Sequence, residues 1–94
     1  MIFEWDEKKN RANQLKHGLS FETAVQVFED PYALMFPERV VEDEERWHAI
    51  GRAGGIAILL VVYSITEDDD EEKVRIISAR KANRRERALY PTHH

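Results

Sequence analysis

The apolar run Ile56 to Tyr63, IAILLVVY, constrains this chain more than any other feature. Eight consecutive apolar residues rich in branched side chains leave no polar face, as expected of a strand buried on both sides at the centre of a sheet. The run is far shorter than the roughly 20 residues that span a bilayer. Its neighbours set the context. Glu45 to Ile50 and Ile56 to Ile65 flank Gly51-Arg52-Ala53-Gly54-Gly55, whose glycines permit the positive φ angles of a hairpin turn. After the acidic stretch Glu67 to Glu72, Val74, Ile76 and Ile77 put apolar groups on both faces of a second central strand, Lys73 to Ala79. Pro37 lacks a ladder donor and sends the strand Ala33 to Val41 to an edge or a bulge.

The N-terminal third reads as helix. Ile2 to Trp5 is a short strand, Asp6 a cap for a helix to about Lys16, and Gly18 its C-terminal stop. That helix is polar, with Ala12 and Leu15 as its only apolar stripe. Ser20 caps a second helix whose Phe21, Ala24, Val25 and Phe28 form an apolar face, closed by Asp30-Pro31. Asn83 with Glu86 has the residue types of a capping box for a last short helix, anchored by Leu89 and Tyr90 and ended by Pro91. The expected fold is α+β over a single domain, residues 1–94. Two N-terminal helices lie on a largely antiparallel sheet, and a short C-terminal helix follows.

Several chemistries are excluded by composition. No cysteine is present, so disulfides, thiolate metal sites and cysteine nucleophiles are ruled out. His17, His48, His93 and His94 lack metal-ligand spacing, the last two having the look of a tag remnant, and Ser20, Ser64 and Ser78 lack a nucleophile-elbow context. No cofactor is expected. The N-terminus lacks a signal-peptide layout, which points to a cytoplasmic protein without a membrane segment.

The charge is strongly segregated. Although the net charge is −4, residues 73 to 87 carry seven bases and one acid, while Glu42 to Glu45 and Glu67 to Glu72 hold ten of the 18 acids. Both acidic runs fit solvated loops. Within RIISARKANRRERALY, strand alternation puts Ser78 and Arg80 on one face, and helical spacing puts Arg84 and Arg87 together with Arg85 turned away. Guanidinium groups present a planar fork of donors that stays charged and suits phosphate. The same arginines also fit a solvated terminal helix whose C-terminal dipole they favour. In EERWHAIG, Arg46 and His48 point to one side of a strand and Glu45 and Trp47 to the other, an arrangement for phosphate binding beside proton transfer, or simply an exposed hairpin face. Lys16 and His17 stand at a helix C-terminus, where cations need no function.

FEWDEKKNRANQLKHGLSFETAVQVFEDP, EERWHAIG and RIISARKANRRERALY, in that order, resemble the BrnT family of bacterial toxins. The resemblance implies a compact RelE-like fold and a ribonuclease that cuts RNA without a metal. It implies neutralisation by a BrnA-like ribbon-helix-helix antitoxin, with operator DNA reached only through that antitoxin. Carried onto matching positions, it makes Arg46, Arg80 and Arg84 the leading phosphate-binding candidates. Lys16, His17 and Glu45 become candidate acid or base groups, and Arg75, Ser78, Arg85 and Tyr90 candidate RNA contacts, Tyr90 either stacking on a base or anchoring the helix. His48 lies outside the motif and the acidic run Glu67 to Glu72 departs from it. A binding module or a decayed toxin that still holds its antitoxin is the alternative.

Overall fold

A computed structural model describes residues 1–55 and 57–91. The first residue of the apolar run, Ile56, and the terminal His93 and His94 lie outside the described residues. In chain order the elements are β1 (Ile2–Glu4), α1 (Glu7–His17), α2 (Phe21–Val25), a 3-10 turn (Gln26–Glu29), β2 (Leu34–Val41), β3 (Glu44–Ala53), β4 (Ala57–Asp68), β5 (Glu71–Lys81) and α3 (Arg84–Leu89). The sheet runs β1-β5-β4-β3-β2, antiparallel except for the parallel pair β1 and β5. The apolar run is the middle strand, and Pro37 sits in an edge strand beside a register shift between Pro37 and Arg39. No helix among the described residues is long and apolar enough to cross a membrane.

Both acidic runs are hairpin arms rather than loops. β2 joins β3 through Glu42 and Asp43, and β4 joins β5 through Asp69 and Asp70, all four residues at positive φ between 50° and 65°. Two such residues make the tight turn that matches strand twist. Since β2 and β4 run in the same direction, both acidic tips project from one end of the sheet, opposite the end where β5 delivers Lys81 and α3. At the β3–β4 turn, β3 reaches further in than expected, to Ala53, and β4 runs from Ala57, with Gly54 and Gly55 at φ 58° and 72°. Gly51 is not a turn residue but lies within β3 under the 3-10 turn. A Cβ there would come within 2.7 Å of Val27 Cγ1, so the glycine permits close packing.

The expectation of two N-terminal helices requires correction. One full helix stands there, and the second is a five-residue stub that tightens into 3-10 geometry. Three residues per turn replace 3.6, so the fully buried positions are Phe21, Ala24 and Val27 rather than Phe21, Ala24 and Val25. Phe28 turns aside to pack between Phe3 and Tyr63, with ring centroids at 5.2 and 4.9 Å.

The packing of α1 is also not what its apolar residues suggested. Asp6 and Gly18 cap it as expected, but Leu15 is 90% exposed and Ala12 is exposed too. Two buried asparagines dock it instead. Asn10 accepts from the Phe21 N–H at 2.8 Å and donates to Glu7 and Glu22. Asn13 donates to the Ala79 carbonyl at 2.8 Å and accepts from the Ala79 N–H at 3.2 Å. Because β1 covers β5 only opposite Lys73 to Arg75, the Asn13 amide completes the ladder at Ala79 as a strand residue would. Unpaired buried backbone groups at that edge would each cost about 1–3 kcal/mol.

Candidate active site

One face of the sheet carries the core under the helical layer, including Leu59, Val61, Tyr63, Val74, Ile76 and Ala79. The other face carries the polar residues. Register places His48 and Ser78 on either side of Val62, and Ile50 and Arg80 on either side of Leu60. Arg46 lies one step further along the His48 side of β3. The register between β4 and β5 shifts after Val62, leaving Ile77 as an extra residue. Simple alternation would put Arg75 on the face opposite Arg80; this bulge returns it to the same face, opposite Ser64 and beside Glu4. Arg46, His48, Arg75, Ser78 and Arg80 therefore share one surface.

The arginines there are held by carboxylates. Arg80 donates from Nη1 and Nη2 to Glu86 at 2.8 and 2.9 Å, and its Nη1 also reaches the Lys81 carbonyl at 3.3 Å. Glu86 takes a further bond from the Asn83 N–H at 2.8 Å, closing the capping box of α3. The paired hydrogen bonds hold the Glu86 carboxyl below its ordinary range and raise Arg80, with His48 close enough to add to the lowering of Glu86. One Nη2 proton and the Nε proton of Arg80 remain, on the edge of the guanidinium that suits two phosphate oxygens. Arg46 Nε lies 3.1 Å from Glu44 without hydrogen-bond alignment, and Arg75 lies 3.5 Å from Glu4. Arg46 Nε and Ser64 Oγ, both on this face, are buried without hydrogen-bond partners. His48 packs edge-on against Phe36 at 5.7 Å.

The remaining candidates divide. Arg84 and Arg85 are exposed in the first turn of α3, next to the Arg80–Glu86 pair. Arg87 is exposed as Arg84 is, and its guanidinium folds back to donate to the Ala82 carbonyl at 2.7 Å. Glu45 is on the opposite face, accepting from the Trp47 indole at 3.1 Å. Lys16 and His17 occupy the turn of α1 after Asn13, at the β5 edge. Tyr90 is buried, its ring in a small cluster with Ile50 and Leu60, and its hydroxyl donates to Asp30 at 2.5 Å. Its burial fits one of its two candidate roles, the helix anchor. Among the described residues no group of three or more His, Asp or Glu is arranged to hold a metal ion.

Sequence reasoning missed Asp30 as a hub. It accepts from the Tyr90 hydroxyl, the Arg52 N–H at 2.7 Å and the Tyr32 N–H at 2.9 Å. Burial pushes its carboxyl up, but these bonds outweigh that and leave it below its ordinary value. No local sequence signal marked it, because Tyr90 stands 60 positions further along the chain.

The fold and this surface define a small α+β domain with a guanidinium-rich sheet face suited to a polyanion. The chain belongs to the BrnT family, described as the ribonuclease toxin of a type II toxin-antitoxin system, whose model matches residues 5–86. Among solved structures it is similar to the Brucella abortus ribonuclease toxin BrnT, known from a 1.1 Å crystal structure. The two are 29% identical with a TM-score of 0.67, over 89% of this chain and 100% of that one. A comparison with curated protein sequences gave no match.

Proposed function

We propose that this chain is an RNA endonuclease toxin that cleaves by attack of a ribose 2′-hydroxyl on the adjacent phosphate. The observation that carries the reading is the convergence of Arg46, Arg75, Ser78, Arg80 and His48 on one face of the sheet, with Arg80 aimed by Glu86. In such a step the 2′-hydroxyl gives up its proton as it bonds to phosphorus, the bond to the 5′-oxygen breaks, and that oxygen takes a proton. A 2′,3′-cyclic phosphate remains. Negative charge accumulates on the phosphoryl oxygens in between, and fixed cations aimed at it stabilise the transition state most.

Arg80 presents its open edge to the phosphate, Arg46 adds a second cation, and Arg75 stands behind them. Ser78 contributes a hydroxyl beside Arg80, and Arg84 and Arg85 hold the flanking strand. His48 is the imidazole on this face and handles a proton of the exchange. Lys16 and His17, at the β5 edge, are left to guide RNA, and Glu45 faces away from the chemistry. The arginines supply the charge stabilisation, so the reaction needs no metal. A BrnA-like ribbon-helix-helix antitoxin silences the enzyme in the cytoplasm and provides the only link to operator DNA.

The test is cleavage of a mixed RNA by purified protein in excess EDTA, with the cut ends mapped. Ends bearing a 2′,3′-cyclic or 3′-phosphate support the reading, and 3′-hydroxyl ends reject it. One observation favours a binding module instead. The arginines of the face already have carboxylate partners, and folded protein that leaves RNA intact while holding its antitoxin would establish that alternative.

A further inference from the structure

At the sheet end opposite the acidic hairpin tips, α3 and the β3–β4 hairpin enclose a pocket of about 330 Å³ lined by Arg52, Ala57, Ile58, Lys81, Ala82 and Arg87. Three of its six lining residues are cations, and none is an acid. Among the described residues no ion pair joins Arg52, Lys81 or Arg87 to a carboxylate, whereas Arg46, Arg75 and Arg80 each have one. Neutral groups hold two of the three in place. The Arg87 guanidinium donates to the Ala82 carbonyl at 2.7 Å. The Arg52 guanidinium lies 5.6 Å over the Tyr90 ring. Asp30, which accepts hydrogen bonds from Tyr32, Arg52 and Tyr90 and stays below its ordinary carboxyl range, is near enough to attract Arg52 and offsets part of its charge. The pocket thus carries three positioned cations, of which Arg52 is partly offset by Asp30 while Lys81 and Arg87 have no ion pair among the described residues.

We propose that this pocket is an RNA subsite that takes a phosphate and its ribose next to the one being cleaved; the proposal rests on the ribonuclease reading above. Three points favour RNA as occupant. The volume lies at the small end of ligand pockets, of a size for one compact unit. The cations surround an apolar floor of Ala57, Ile58 and Ala82, which suits a sugar carrying a phosphate. Lys81 follows Arg80 at the end of β5 and points to the other face, opposite Leu59, while Arg52 and Ile58 lie on the Arg80 face. The pocket therefore wraps the sheet end, and a strand leaving the cleavage face round that end meets it next. Grooves that track a single strand combine cations with apolar platforms in this way.

The test uses the full chain and a mixed-sequence single-stranded RNA with 2′-O-methyl groups, which cannot be cleaved by 2′-hydroxyl attack. Binding is followed by fluorescence anisotropy over a range of salt, for wild type, Lys81→Gln, Arg52→Gln and Arg80→Ala. Lys81 is exposed, so Lys81→Gln keeps the fold, and melting curves check Arg52→Gln. The expected result is weaker binding by both pocket variants, with the slope of log affinity against log salt reduced by about 0.7 for each lost phosphate contact. Wild-type affinity and slope in both pocket variants, beside weakened Arg80→Ala, would overturn the subsite and leave the ribonuclease reading standing. Absence of RNA binding by the wild type, with a polyglutamate peptide bound instead and released by Lys81→Gln, would overturn the RNA occupant in favour of an acidic partner.

Discussion

The arginines of the sheet face and the cations of the terminal pocket differ in what neutralises them. Arg46, Arg75 and Arg80 stand 3.1, 3.5 and 2.8 Å from Glu44, Glu4 and Glu86. Arg52, Lys81 and Arg87 border a space that contains no carboxylate. Paired cations are oriented and their field is muted, while unpaired cations attract at longer range. Under the function proposed above, the contrast separates positioning a phosphate for reaction from capturing the strand that carries it. It also reconciles the proposed RNA substrate with a net charge of −4, since ten of the 18 acids lie in the two acidic hairpins at the far end of the sheet.

Breaking the paired side should have the largest effect. Arg80→Ala is expected to slow single-turnover cleavage by about 10²- to 10³-fold, the usual consequence of removing one transition-state donor, while circular dichroism shows an intact fold. Glu86→Gln is expected to slow it by about 10- to 100-fold with little change in half-saturating RNA, because the guanidinium loses its aim rather than its charge. The same variant reports on pH. The folded-state carboxyl of Glu86 is depressed below the ordinary 4.5, so its contribution is complete above that value and is lost as pH falls through the folded value. The thermal midpoint of Glu86→Gln should therefore fall less on acidification below about pH 4.5 than that of the wild type.

Tyr90→Phe sharpens the division between anchor and ligand. It keeps the ring and removes the hydroxyl, so an anchor loses about 1–2 kcal/mol in denaturant unfolding, whereas a base-stacking residue would lose nothing. Lys81→Gln should have the smallest effect, a few-fold rise in half-saturating RNA that shrinks as salt is added.

How much of this was legible in the sequence depended on which interactions made the structure. The central strand, the edge position of Pro37, the Asp6 and Ser20 caps and the Asn83–Glu86 box follow from local rules and all appear. The shared side of Arg46 and His48, and of Ser78 and Arg80, follows from alternation. What alternation could not supply is the bulge at Ile77, which moves Arg75 across the sheet and depends on pairing with β4. Hydrophobic patterning pointed to Leu15 and Ala12 for docking α1, but the binding is done by asparagine side chains to backbone groups of Phe21 and Ala79, which carry no side-chain signature. The Asp30–Tyr90 link and the terminal pocket join residues 60 and 35 positions apart, Asp30 to Tyr90 and Arg52 to Arg87, so only the folded chain displays them.

The most direct measurement is single-turnover cleavage, in EDTA, of one RNA with a mapped cut site beside the same RNA carrying a 2′-deoxyribose at that site. Loss of cleavage on removing the single 2′-hydroxyl, with a cyclic phosphate at the cut end of the all-ribose substrate, is the predicted result. Equal cleavage of both substrates would contradict 2′-hydroxyl attack and with it the role assigned to the arginine face.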